Sequence, residues 1–148
     1  MDSNTLVGLR LDAVWLSRTQ PHPAWVDAST PEIQGLFVNL VCAEKQVIHV
    51  VACEVEDPGK YPALGLEIHE VGDPADRGRW YEDTLVRAEI LAELAPYLPA
   101  TIAQVRLWDA LGEGPDSALC IFLDNGVTLT VRNILPPMIV GVEISETS

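Results

Sequence analysis

Histidine, cysteine and serine side chains carry much of protein catalysis and metal binding, and none of them has the spacing of a known motif in this sequence. His49 lies in an apolar run, with no carboxylate or second histidine spaced to orient it as a base or a ligand. We therefore predict that it is a hydrogen-bonded core residue. His69 belongs to the tripeptide Ile-His-Glu, which begins like the zinc motif H-E-x-x-H but lacks its second histidine.

The serines and glycines give no support to hydrolase or nucleotide-binding chemistry. Ser17, Ser29 and Ser117 are not in a G-x-S-x-G context, and the 10 glycines are scattered rather than gathered in a phosphate-binding loop. Carboxylate pairs are plentiful, but an acidic chain contains them by composition alone. We expect no enzyme activity and no cofactor.

The cysteines are three, an odd number, and none is in a C-x-x-C pair. Cys42, Cys53 and Cys120 each lie among apolar, strand-like residues. Small buried thiols are the interpretation that this setting favours, and we expect no bound metal. The alternatives are a disulfide between two of them, or a zinc site completed by His49 or His69.

The charge of the chain is strongly negative. It has 9 Lys and Arg against 22 Asp and Glu, a formal net charge of −13. Such a surface repels nucleic acid and anionic lipid and attracts basic protein surfaces. The first 18 residues have no basic region before their apolar residues, and Arg10 and Asp12 interrupt those residues, so they fit neither a signal peptide nor a membrane span. We expect a cytoplasmic protein.

Two acidic groups and one aromatic residue are the candidate contacts for a basic partner. Three glutamates share a stripe on a predicted helix, three acidic residues lie in the turn "EVEDPGKY", and one tryptophan lies in a proline-flanked loop. Each group has an alternative interpretation, either as a solvated surface or, for the tryptophan, as a residue packed on its own core. The candidates are Glu82, Glu89, Glu93, Glu54, Glu56, Asp57 and Trp25.

Most of the predicted secondary structure, which must position the candidate residues, is β-strand. Short runs of Val, Ile, Leu and Thr, separated by Gly, Pro, Asn and Asp, predict four strands in each half of the chain, near 9–17, 36–43, 46–55, 63–71, 101–109, 118–124, 127–134 and 138–145. The segment between the halves favours one helix, about 79–95, with Asp76 as a candidate cap. The predicted fold class is α+β, mainly β.

The two halves repeat a phrase, "ALGLEI" at 63–68 and "IVGVEI" at 139–144. Other blocks align as well: "LDAVWL" with "IAQVRL", and "LFVNL" with "LCIFL". We predict an internal duplication, with antiparallel four-stranded units at 9–71 and 101–145 joined by the helix in a single compact domain, 1–148. Chance likeness between strand patterns is the alternative. In each phrase the apolar residues should face inward, and Glu67 and Glu143 outward.

Turn chemistry predicts the register of two hairpins. Asn125-Gly126 suits a two-residue type I′ turn, which places Phe122 on the same face as Leu129. A turn at Glu44-Lys45 places His49 opposite Leu40 and leaves both faces of the hairpin apolar. Strands that are apolar on both sides are usually covered on both sides, so this hairpin should lie centrally in the fold.

The residues "CIFLDNGVTLTV" and "PPMIVGVEI" resemble the closing hairpin and strand of small β-rich bacterial families encoded beside toxins. In overall character the chain is similar to cytoplasmic immunity proteins of type VI and other polymorphic-toxin systems. This resemblance implies a non-catalytic protein that neutralises a toxin by binding and covering it. The alternatives are a structural or regulatory homo-oligomer, such as a homodimer, and a small-ligand binder or enzyme with a cleft between the halves.

Overall fold

The computed structural model describes residues 3–18, 33–55, 63–81, 86–112, 114–134 and 139–146. Within these residues the chain forms nine strands and one short α-helix, α1, over Gly78–Tyr81. The strands are β1 Arg10–Arg18, β2 Ile33–Cys42, β3 Val47–Val55, β4 Ala63–Val71, β5 Glu89–Ile90, β6 Ala100–Trp108, β7 Ala118–Leu123, β8 Val127–Ile134 and β9 Ile139–Glu146. No helix in the described part of the chain is long and apolar enough to cross a membrane.

Six of the strands close into an antiparallel barrel in the order β1, β2, β9, β8, β7, β6. The barrel closes where Leu11 of β1 pairs with Ala100 of β6. β2 changes partner along its length: residues 33–35 pair with β9 and residues 37–41 pair with β3. The hairpin of β3 and β4 therefore leaves the barrel as an extension of the sheet.

The core fills the barrel and continues under this extension. Its fully buried side chains are almost all aliphatic and come from both halves of the chain, as the alternation of apolar residues along each strand requires. The largest of them include Leu11, Leu16, Leu40, Ile48, Ile102, Leu119, Ile121 and Leu129.

The predicted strands are confirmed, since β1 to β4 and β6 to β9 overlap the eight predicted runs. Within each half the four strands pair in sequence order, and the repeated phrases lie in β4 and β9. Val140 and Val142 are buried, Leu66 packs against the core and Glu143 is exposed, as predicted. Consecutive hairpins produce such an order in any sequence, so the duplication stays a prediction.

The prediction of one helix over 79–95 is wrong. The α-helix ends at Tyr81 in the described residues, and the chain then forms the short strand β5 and a 3₁₀ turn at Ala95–Tyr97. The cause is tertiary. Leu91 and Leu94 are buried in the core, and the Leu91 amide donates a 2.7 Å hydrogen bond to the Val14 carbonyl of β1. Strand pairing and burial outweigh a helix propensity that is worth only tenths of a kcal/mol per residue.

Both predicted hairpin registers are wrong by one residue. The loops contain three residues, 43–45 and 124–126, so that Leu40 pairs with Ile48 rather than with His49, and Leu129 pairs with Ile121 rather than lying on the face of Phe122. In the second loop Gly126 has a positive φ of 85°, as in a type I turn followed by a bulge. A one-residue shift exchanges the two faces of a strand, and the observed shift puts the aliphatic residues of both hairpins into one core.

Candidate binding surface

A segment that follows β4, residues 72–81, lies across the outer face of β2, β3 and β4. The Asn39 side-chain amide donates to the carbonyls of Pro74 and Asp76, at 2.8 and 2.7 Å. The Phe37 and Tyr81 rings lie 6.0 Å apart. This cover explains why the first hairpin is apolar on both faces, as predicted. The hairpin is not central, however, because β3 is the second strand from the end of the sheet.

His49 is buried beneath this segment, in a fixed tautomer. Its Nδ1 lies 2.7 Å from Oδ1 of Asn39, whose amide nitrogen already donates to two carbonyls. The Asn39 oxygen must therefore accept, and Nδ1 carries the proton. His49 has no exposed surface, which confirms the predicted core histidine.

The other ring nitrogen of His49, Nε2, has no partner among the described residues and faces Gly78. A Cβ placed on Gly78 would overlap this nitrogen. Burial, with a smaller contribution from His69, lowers the pKa of His49 to about 4, while Asp76 and Glu67 act in the opposite direction. The ring is neutral at pH 7, and Gly78 lies directly against its unpaired nitrogen.

Glu67 of β4 holds the exposed ring of Trp80. The indole Nε1–H donates to Oε2 of Glu67 at 2.7 Å, and Nη2 of Arg79 lies 3.3 Å from Oε1 of the same carboxylate. The Arg79 guanidinium also covers one face of the indole, 4.8 Å from the ring centroid. Trp80 is nevertheless 52% exposed. It is an accessible aromatic side chain whose orientation is held by a charge-assisted contact.

Beside this ring is a cavity of about 270 Å³ that we call the Trp80 slot, bounded by Ala52, Cys53, Glu54, Trp80 and Tyr81. Burial raises the pKa of the Cys53 thiol, with a further contribution from Glu67, and burial also raises the pKa of the Tyr81 phenol. Both groups are therefore neutral at pH 7, so the slot contains no activated nucleophile. Its arrangement is suited to binding an apolar group.

Metal ligands do not come together in the described ranges, where no three His, Cys, Asp or Glu side chains are placed to hold an ion. Cys42, Cys53 and Cys120 are free and buried, as predicted. Burial raises the pKa of Cys42 to about 11, with a smaller contribution from Asp12. Its thiol is therefore protonated and a poor ligand.

The predicted contact residues are separated by the fold. Glu54 is exposed and lies in the wall of the Trp80 slot. Glu89 is exposed on β5, whereas Glu93 borders a different groove, of about 690 Å³, with Tyr97, Glu143 and Glu146. The glutamate stripe was predicted on a helix that is not formed at residues 89 and 93. Four predicted contacts lie outside the described residues: Trp25, Glu56, Asp57 and Glu82.

Sequence reasoning missed Trp80, Arg79 and Glu67 as a group. Trp80 was not among the predicted contacts, and Glu67 was predicted only to face outward. Outward placement of Glu67 is correct, but its carboxylate is covered by side chains 12 and 13 residues further along the chain. The one sequence feature that pointed to this group was Glu67 itself, a charged residue within the repeated phrase.

Comparison with known proteins gives no family assignment, because no protein-family model, curated protein or solved structure matches this chain.

Proposed function

We propose that this chain is a non-catalytic binding protein that recognises a basic partner protein through the surface around Trp80. The observation that supports this most is a tryptophan that is half exposed and yet fixed by Glu67 and Arg79. Exposed aromatic residues of this kind are common anchors in protein interfaces. A ring that is already oriented loses little conformational freedom on binding.

Charge is the second support. The formal net charge of −13 favours encounter with a positively charged surface and disfavours nucleic acid. Glu67, on β4, places one of these charges directly beside Trp80. A partner with basic residues around an apolar contact would therefore match this surface in both charge and chemistry.

A toxin domain is the partner class that we propose, from the resemblance to immunity proteins, and the proposed location of the encounter is the cytoplasm. Inhibition by covering an active site requires a rigid surface and fast association, and it requires no chemistry from the inhibitor. The sheet of β2, β3 and β4, with the Trp80 ring fixed on it by Glu67, would provide the rigid surface. The net charge would speed association at low ionic strength.

The test is affinity capture from the native host with immobilised wild type, Trp80→Ala and Ile90→Ala. Ile90 is a matched control because it is also exposed, at 54%, but lies on β5. We expect wild type and Ile90→Ala to retain the same basic protein, and Trp80→Ala to bind it about 30-fold more weakly, as for an interface anchor. Equal retention by Trp80→Ala, or an acidic partner, would contradict the proposal.

A toxin as the partner adds a second readout. Co-expression of the wild-type chain should restore growth of cells that produce the captured protein, and co-expression of Trp80→Ala should not. If the captured protein is harmless to the cell, the toxin assignment is wrong, while binding through Trp80 is judged by the capture experiment alone.

A homo-oligomer built through β4 is the second candidate, because among the described strands β4 pairs with β3 only. Unpaired edges invite pairing with another copy. The middle of this edge is occupied, however: the Leu66 amide donates to Asp116 at 3.0 Å, and the Asn133 side chain donates to the Gly65 carbonyl at 2.9 Å. Light scattering after size exclusion distinguishes a monomer, which we expect, from a dimer.

A further inference from the structure

We infer that His49 is a pH-sensitive switch: a proton bound by its ring releases residues 72–81, here called the covering segment, from the outer face of β2, β3 and β4. His49 has no exposed surface, and its Nε2 has no hydrogen-bond partner among the described residues. Gly78 of the covering segment lies directly against this nitrogen. A second proton on the ring would be buried there without an acceptor, which is costly in a protein interior. Water can reach that proton only after the covering segment has moved away.

Asn39 of β2 holds the covering segment in place and offers no acceptor to the second proton. Its Nδ2 donates to the carbonyls of Pro74 and Asp76, at 2.8 and 2.7 Å. Its Oδ1 accepts the Nδ1–H of His49 at 2.7 Å. The two ring nitrogens point in different directions, so this oxygen cannot also accept from Nε2. The contact that fastens the segment therefore leaves Nε2 facing Gly78.

The charged and titratable groups near the ring act in both directions. On β4, Glu67 favours the charged ring and His69 opposes it, with the two histidine ring centroids 5.2 Å apart. In the covering segment, Asp76 favours the charged ring, but its Oδ1 already accepts a backbone amide of the segment at 2.8 Å. β2 faces the ring with Phe37 and Asn39, which carry no charge. The other titratable side chains of the covering segment are Asp73, Arg77, Arg79 and Tyr81.

Opening of the covering segment should therefore become more frequent as the pH falls. Burial is the largest influence on His49, and it lowers the pKa to about 4 from an ordinary value of 6.5. When the segment is open the ring is hydrated and takes up the proton first, so the open state gains about 20-fold between pH 7 and pH 5. Trp80 follows Gly78 by two positions, so the opening would also displace the surface proposed to bind a partner.

The test is hydrogen exchange followed by NMR at pH 7, 6 and 5, on the chain alone. Two probes report the covering segment: the side-chain amide of Asn39, which donates to it, and the backbone amide of Gly78, which donates to Asp76. The backbone amides of β7 and β8 report unfolding of the barrel. Each rate is divided by that of a freely exposed amide at the same pH, which gives a protection factor.

We expect the protection of both probes to fall about 20-fold from pH 7 to pH 5 and to stay below that of β7 and β8. About 1 M urea should leave it unchanged, because a local opening exposes little surface. His49→Gln keeps a side-chain N–H for Asn39 and does not titrate, so its protection should be constant with pH. His69→Gln is the matched control, which removes the neighbouring histidine and should keep the pH dependence.

Three exchange results would overturn the inference. They are constant protection of the probes in wild type, an equal fall with pH in His49→Gln, and probes whose protection and urea response equal those of the barrel, since the segment would then open only on global unfolding. The ring ¹⁵N signals of wild-type His49 give a measurement that needs no variant to fold. They should show the neutral Nδ1–H form at pH 6, and a ring half protonated at pH 6 or above would also overturn the inference.

Discussion

At the scale of single residues, His49 is the clearest case of a group whose state is imposed by its surroundings. Asn39 accepts its Nδ1–H, and Gly78 lies against its second ring nitrogen, where no acceptor is available among the described residues. A proton added at that nitrogen would be buried without a partner, which is costly in a protein interior. The neutral ring is therefore required by the native packing.

Stability should consequently fall in mild acid because of His49. Its pKa is about 4 in the folded chain against an ordinary value of 6.5. The unfolded chain takes up the proton first, so the free energy of unfolding falls as the pH drops from 6.5 to about 4, by roughly 3 kcal/mol for this group. Above pH 6.5 the ring is neutral in both states and this contribution is constant.

Urea denaturation of wild type and His49→Gln at several pH values measures this effect. Carboxylates titrate in both proteins, so the difference between the two free energies isolates the histidine. We expect the advantage of wild type to shrink between pH 6.5 and 4.5 and to be constant between pH 7 and 8. A difference that does not change with pH would show that His49 is protonated equally in both states.

Gly78→Ala should be strongly destabilising, for two separable reasons. Gly78 has a φ of +69°, and its Cβ would meet the His49 ring. The backbone conformation costs about 1–2 kcal/mol and the overpacking about 1–3 kcal/mol, so we expect a loss of about 2–5 kcal/mol in the free energy of unfolding.

Two other glycines separate these contributions in the same urea assay. Gly8 has a φ of +91° and open space around it, so Gly8→Ala should show the backbone cost alone. Gly72, six positions before Gly78, has open space as well and should tolerate alanine within about 0.5 kcal/mol. Equal losses at Gly8 and Gly78 would mean that the His49 ring moves aside without cost.

At the scale of elements, the two three-residue hairpin loops show how a turn adapts to a core. In the loop between β2 and β3, Glu44 and Lys45 have φ values of 64° and 63°. Left-handed conformations are unfavourable for such residues and favourable for asparagine and glycine. The register is set by burial of the apolar faces of β2 and β3. Glu44 and Lys45 therefore adopt the unfavourable left-handed conformation that this register requires.

Replacing this pair by Glu44→Asn and Lys45→Gly should therefore stabilise the chain, by about 0.5–1 kcal/mol, measured as a higher thermal midpoint. Gln46→Gly is the matched control, because Gln46 has an ordinary φ of −80° and glycine there only adds freedom to the unfolded chain. Stabilisation by the control but not by the pair would contradict the strain argument.

At the scale of the whole molecule, a closed barrel carries a large excess of negative charge. The formal net charge of −13 exceeds the magnitude of about 2–8 that keeps a small domain soluble. Mutual repulsion among these carboxylates opposes the compact state. Burial of aliphatic side chains from all six barrel strands must offset that repulsion.

Salt should stabilise the folded chain for this reason. Raising the salt from about 0.01 to 0.15 M shortens the screening length from about 30 to 8 Å, and the urea midpoint should rise. The double variant Glu89→Lys and Glu143→Lys, at two exposed positions, changes the net charge from −13 to −9 and should respond less. An equal response in both proteins would mean that the repulsion has little effect on folding.

The eight long strands, four in each half of the chain, were predictable from sequence alone. Alternating apolar residues and the breaks between them are local properties, and they predicted β4 at the observed residues, 63–71. The same pattern predicted a buried His49 and free, buried cysteines. Burial of these side chains can be predicted without knowing which strands pair, because their neighbours in the sequence are apolar.

The hairpin registers, the loss of the predicted helix and the candidate binding surface depend instead on contacts between distant segments. Glu67 and Trp80 are 13 residues apart and meet because residues 72–81 fold back over β3 and β4. Leu91 and Leu94 leave the helical pattern because β1 and the core offer them strand pairing and burial. Both outcomes depend on surfaces that exist only after distant segments have assembled, so no local preference of the chain could report them.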